Sequence, residues 1–173
     1  MENVIRFGEN FIEMEFQPDW SKVKSLWNLL RSVIQLILYD SNKSDLISMA
    51  GIELVENAVK YTMFNKLDDT KVIFRLDSYL LQRKVKLKVT NKALIEDIEE
   101  IKNSIERLRV AENRRKLYLN KLMEASKADV EEETMELGIM RVMVEANADV
   151  NIESDEDGKI SIIAIFNVNR KYN

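Results

Sequence analysis

Two polar residues four apart stand inside an apolar helical stretch: Glu53 and Asn57 in Gly51-Ile52-Glu53-Leu54-Val55-Glu56-Asn57-Ala58-Val59-Lys60-Tyr61-Thr62. That spacing puts both side chains on one helix face. A carboxylate, which only accepts hydrogen bonds when ionised, then sits beside an amide that can accept or donate. Other chemistries are excluded by composition. The chain has no Cys and no His, so it has no disulfide, thiolate nucleophile or Cys zinc site, and no His-based triad, imidazole metal site or phosphohistidine. Only four glycines occur, Gly8, Gly51, Gly138 and Gly158, where average usage gives about 12. Phosphate loops need glycines so that backbone N–H groups can approach the ligand, and no Walker loop or GxGxxG is present.

The elements that must position this pair follow from periodicity. Ile12, Met14 and Phe16 alternate with Glu13 and Glu15, which predicts a half-buried strand; Pro18, the only proline, ends it. Ser21 is placed to cap a helix carrying Val23, Leu26, Leu30, Val33, Ile34 and Ile37, closed by Asp40-Ser41-Asn42. The helix bearing Glu53 and Asn57 runs from about Asp45 to Thr62, with Ile52, Val55, Val59 and Met63 as its core stripe. Alternation then predicts two antiparallel strands, one carrying Val72, Phe74 and Leu76, the other Val85, Leu87 and Val89.

From Leu94 to about Ala128 the pattern is helical and highly charged. Ile98, Ile101, Ile105 and Leu108 form its stripe, and periodicity leaves one long helix or a bent pair open. A shorter helix carries Met135, Ile139, Val142, Met143 and Ala146. Two last strands flank the turn Asp155-Glu156-Asp157-Gly158, the second apolar on both faces and therefore central. This order predicts an α+β fold, a two-layer α/β sandwich with a mixed, mostly antiparallel sheet and helices on one face.

The stretch from Gly51 to Thr62 resembles the N-box of the GHKL (Bergerat-fold) ATPase superfamily, E-x-x-x-N-A on a helix. The element order is most similar to that of the stand-alone anti-sigma-factor serine kinases, with their histidine-kinase-like ATPase fold. The resemblance implies one such domain over residues 1–173, with a lid region at about 94–128. It further implies that Asn57 holds Mg²⁺ on ATP and that Glu53 is the base or water-positioner. Two other family motifs are altered. Where D-x-G-x-G binds adenine, this chain reads Val89-Thr90-Asn91-Lys92-Ala93. Asn91 keeps one acceptor without a carboxylate's charge. The phosphate-binding G-x-G is reduced to Glu136-Leu137-Gly138-Ile139, and the charge of Glu136 would oppose a triphosphate.

Each of these residues also has a plain alternative. Glu53 and Asn57 suit a solvated helix face. Lys60 either assists phosphate binding or snorkels at the surface. Asn91 is an adenine acceptor or a strand-end turn residue, and Gly138 a phosphate contact or a close-packing residue. The basic cluster Arg107, Arg109, Arg114, Arg115, Lys116 and Lys121 is interleaved with Glu106 and Glu112 and followed by Glu131-Glu132-Glu133, which favours a charge-laced solvated helix over a nucleic-acid surface.

Composition bounds the rest. Of 173 residues 46% are apolar and 32% charged, with 26 basic and 30 acidic side chains and a net charge of −4. That is enough for one core, and its sign argues against nucleic acid as a ligand. The absence of cysteine, of a signal pattern and of a long apolar run fits a cytoplasmic protein without a membrane span. The expectation is a regulator of the anti-sigma, partner-switching type. It would bind Mg-ATP and act on a Ser or Thr of a STAS-type partner, with a sigma-like regulator downstream and a homodimer compatible with the isoleucine stripe. The alternative is a GHKL-derived protein-binding module without turnover.

Overall fold

The computed structural model describes residues 3–38, 40–65, 70–127 and 135–168. In chain order these form β1 (Val4–Phe7), β2 (Phe11–Phe16), α1 (Trp20–Leu38), α2 (Ser41–Phe64), β3 (Val72–Tyr79), β4 (Lys84–Lys92), α3 (Ile95–Val110), α4 (Arg114–Lys127), α5 (Met135–Val144), β5 (Asp149–Ser154) and β6 (Lys159–Asn167). The strands make one sheet in the order β1-β2-β3-β4-β6-β5. Every neighbouring pair is antiparallel, so the mixed sheet expected from the sequence is antiparallel throughout these strands. β6 is flanked by β4 and β5, which explains why Ile160, Ile162 and Ile163, on opposite faces of the strand, are all buried.

One face of the sheet carries the helices. Phe74, Leu76, Leu87, Val89, Ile160 and Ala164 point into this layer and are almost wholly buried. α2 lies on the β3 and β4 members of this set, and Gly51 permits the approach: a Cβ there would meet Leu30 Cδ1 at 3.0 Å and Leu87 Cδ1 at 3.3 Å. The other face is covered by charged ladders. Arg75 bonds Asp77 at 2.9 Å and Glu13 at 3.3 Å, its guanidinium 4.0 Å over the Phe11 ring. Lys88 pairs with Glu153 at 2.7 Å.

These ladders set an acid response. The Lys71 ammonium, followed by Arg6, holds Glu15 below the ordinary 4.5 against its own burial. Lys88 does the same for Glu153. A carboxyl depressed in the folded state stabilises above its unfolded pKa and loses that contribution as pH falls through the folded value. The melting temperature should hold steady between about pH 7 and pH 5 and fall below about pH 4.5. Because Glu153 is largely exposed, added salt should flatten its share of the fall. A melting temperature that rose on acidification would contradict both assignments.

Several local expectations are corrected. Asp19, not Ser21, caps α1: its Oδ1 accepts from the Ser21 backbone N–H at 2.8 Å. Asp40 opens α2 instead of closing α1, its side chain accepting from Lys43 N–H at 3.1 Å. α2 is therefore longer than the Asp45–Thr62 span. Its core side is Ile47, Ala50, Leu54, Val55, Ala58 and Val59, with Ile52 half-buried and Met63 exposed. The 94–128 region is two helices. Backbone at Ala111 is extended, and Asn113 starts α4 by accepting from Lys116 N–H at 2.9 Å.

Ile98, Ile101, Ile105 and Leu108 are all buried. The stripe is core, so it offers no dimer face. Gly158 takes the turn with φ +76°, and Asp155 Oδ1 accepts from Asp157 and Lys159 backbone N–H groups. Ala128 and Glu131-Glu132-Glu133 lie outside the described residues. Among those described, no helix is long and apolar enough to cross a membrane.

Candidate functional site

Glu53 and Asn57 do not face solvent. Each is only 8% exposed, because α5 packs across this face of α2. The contact is close at Gly138: a Cβ there would stand 2.8 Å from Asn57 Nδ2, 3.0 Å from Glu53 Oε2 and 3.4 Å from Asn57 Oδ1. Glycine is required at this position for space, since any side chain would displace a buried polar group. The structure thus brings together three of the residues singled out in the sequence, Glu53, Asn57 and Gly138.

A fourth member was not visible in the sequence. Arg141, three residues after Gly138, makes a direct ion pair with Glu53 Oε1. Its side chain is 22% exposed and that of Glu53 11%, so the carboxylate is largely desolvated and its charge is met by a guanidinium. Arg141 also hydrogen-bonds Tyr118 of α4, whose hydroxyl donates to Glu145. Burial, reinforced by Glu145, pushes the Tyr118 phenol above its ordinary value. Gly138 and Arg141 lie about one turn apart and so share a face of α5, but nothing in the sequence names Glu53 as the partner.

Asn57 Nδ2 is buried and lacks a hydrogen-bond partner. An unpaired buried amide group costs about 1–3 kcal/mol. A half-turn about χ2 would place Oδ1 in the same position, beside a carboxylate. Asn57 Oδ1, the oxygen that the resemblance would give to magnesium, is a donor of the kind a hard divalent cation takes, while the Glu53 carboxylate beside it is engaged by Arg141.

Asn91 is buried on the helix-facing side of β4. Its Nδ2 donates to Lys92 O at 2.8 Å and to Thr62 Oγ1 at 3.3 Å. With its donor used inside the fold, Oδ1 is the group that would accept from an adenine amino group. Thr62 lies five residues beyond Asn57, about 7.5 Å along the axis, so Asn91 meets α2 further along than the Glu53–Asn57 pair does. Lys60 is half-buried, three residues from Asn57 and hence its neighbour on the helix surface.

Glu136 is not the free negative charge expected from the sequence. Arg107 of α3 bonds it at 2.6 Å and Lys121 of α4 approaches to 3.2 Å. Its repulsion toward a phosphate is therefore neutralised. The same contacts employ two members of the basic cluster within the fold. A third, Arg109, donates to Val150 O and Asn151 Oδ1.

A cavity of about 370 Å³ lies elsewhere, on the uncovered sheet face among Arg75, Asp77, Lys86 and Thr90. It contains none of the resemblance residues. The clustering of Glu53, Asn57, Gly138 and Arg141 is the stronger indication of a site, because it rests on specific polar contacts.

No protein-family model and no curated protein matches the sequence. Among solved structures, a chain in the crystal structure of the SiaB–SiaC complex from Pseudomonas aeruginosa is similar, with a TM-score of 0.62 and 13% identity. The match covers 94% of this chain and 91% of that one, so the two share a fold from near one end to the other.

Proposed function

We propose that this protein is a regulator of the anti-sigma, partner-switching type that binds Mg-ATP at the α2–α5 face and phosphorylates a Ser or Thr of a STAS-type protein partner. The observation that carries this reading is the buried Glu53–Asn57 pair with its unpaired amide. An i, i+4 carboxylate and amide set into the core beneath a glycine is costly as packing and useful as a site. The likeness in fold to a chain from a two-protein complex supports action through a partner.

In this reading Asn57 holds the magnesium, Asn91 accepts from adenine and Gly138 lies by the phosphates. ATP supplies a γ-phosphoryl group. Glu53 takes the proton of the partner's hydroxyl, for which it must first part from Arg141. Lys60 contributes positive charge beside Asn57.

A second reading has its own support. α5 covers most of the pair, Glu53 is already neutralised, and Ala93 stands where the family keeps glycine. These features suit a protein-binding module without turnover.

A thermal-shift titration with Mg-ATP, followed by calorimetry, separates the two. Ligand at about 100 times Kd stabilises by about 2.7 kcal/mol, a rise of roughly 5–10 °C for a chain of this length. The rise should require magnesium and vanish in Asn57→Ala. No shift at millimolar ATP would leave the protein-binding module as the function.

A further inference from the structure

Both members of the Glu53–Asn57 pair are met by the same helix: Gly138 lies against Asn57 and Arg141 holds Glu53. α5 is in turn gripped by α4, through Tyr118 with Glu145 and Arg141 and through Lys121 with Glu136. The G-x-G that binds phosphate in the resembling family keeps only Gly138 here, with Glu136 in place of its partner, so backbone N–H groups of a glycine loop are not the natural anion donors. The cation nearest the reacting carboxylate is Arg141. A guanidinium exchanges a carboxylate for a phosphate with little change of geometry, because both present paired oxygens to its planar fork.

We infer that Arg141 is the switch of this site: it masks Glu53 in the resting protein and transfers to an anionic phosphate group of the bound ligand, so that polyphosphate binding and release of Glu53 are one event. The inference rests on the proposal that a nucleotide enters at the Glu53–Asn57 face. Arg141 is thus a positioning and phosphate-binding residue that takes over from the lost glycine, and α4 sets how readily α5 yields.

Glu53 and the phosphate then compete for one guanidinium, which fixes the sign of two substitutions that break the same ion pair. Arg141→Gln removes the cation both groups want and weakens binding. Glu53→Gln removes the competitor and tightens it. An ion pair with only a structural role has no reason to give opposite signs.

The test is calorimetry on the full chain with two probes, inorganic tripolyphosphate and Mg-ATP, comparing the wild type with Arg141→Gln, Arg141→Lys and Glu53→Gln. Circular dichroism confirms that each variant is folded. The expected result for tripolyphosphate is about tenfold tighter binding in Glu53→Gln and about tenfold weaker binding in Arg141→Gln, the scale of one charge-assisted hydrogen bond. Arg141→Lys should fall between wild type and Arg141→Gln. Should Arg141→Gln fail to fold, Arg141→Lys and Glu53→Gln carry the same comparison of signs.

Changes of the same sign, or no tripolyphosphate binding by any variant, overturn the switch. If Mg-ATP still binds in an Asn57-dependent way under those outcomes, the nucleotide reading survives without it. Opposite signs with tripolyphosphate but no preference for Mg-ATP would leave the switch standing and remove the nucleotide reading.

Discussion

Glu53→Gln is expected to slow phosphoryl transfer to the partner's hydroxyl by about 10²–10⁴-fold, the usual contribution of a positioned general base. That corresponds to about 2.7–5.5 kcal/mol of transition-state stabilisation. Glutamine keeps the size and one acceptor oxygen of the side chain but cannot take a proton. Binding of Mg-ATP should persist, because the magnesium ligand Asn57 is untouched. The experiment is the initial rate of label transfer from γ-labelled ATP to a Ser or Thr of the cognate STAS-type protein. Asn57→Ala serves as the contrast, since it should lose binding and transfer together. An unchanged rate in Glu53→Gln would reduce Glu53 to a counter-ion for Arg141.

The second large effect is on stability. In Arg141→Ala the Glu53 carboxylate stays under α5 with its cation gone. Breaking a buried ion pair from one side costs about 3–5 kcal/mol. With Arg141 about one-fifth exposed, the low end applies, about 3 kcal/mol, or a fall of roughly 6–12 °C in melting temperature at this chain length. The penalty comes from the orphaned charge and not from the lost attraction. A paired replacement, Glu53→Leu with Arg141→Met, should therefore recover most of the loss. Thermal unfolding of the single and double variants decides the matter. A double variant as unstable as Arg141→Ala would locate the cost in packing of α5.

The sequence already carried the elements with long, regular periods. Leu26, Leu30 and Ile34 specified α1, the alternation of Val85, Leu87 and Val89 specified β4, and Asp155–Gly158 specified the last hairpin. The stripe Ile98–Leu108 was legible as an apolar face, but whether the core or a second copy covers it was not; the fold buries it. Boundaries were less legible because caps are local and ambiguous: Asp40 is as good a residue after one helix as before the next. Its side chain bonds Lys43 N–H, which settles the choice but requires the backbone direction to be known. Met63 fits the apolar period of α2 and yet is exposed, while its neighbour Thr62 is buried, so the covered face at this end of the helix passes through Thr62 and not Met63.

The candidate site divides the same way. One helix turn fixes Glu53 and Asn57 on a common face, whatever surrounds them, because four residues span little more than 360° of helix. Whether that face meets water or another helix is a long-range matter. Gly138, 81 positions from Asn57 in the chain, and Arg141, 88 from Glu53, reach it only through the packing of α5. The same packing gives Glu136 to Arg107 and Lys121, turning an apparent repulsive charge into a neutral cluster. The sequence alone therefore determined which polar groups share a helix face and which chemistries the lack of Cys and His excludes. Tertiary structure alone decided that the pair is buried, that an arginine masks its carboxylate and that its amide is left unpaired. The physical reason is that periodicity is set by bonds between near neighbours along the chain, whereas desolvation and charge pairing depend on which distant segments the core draws together.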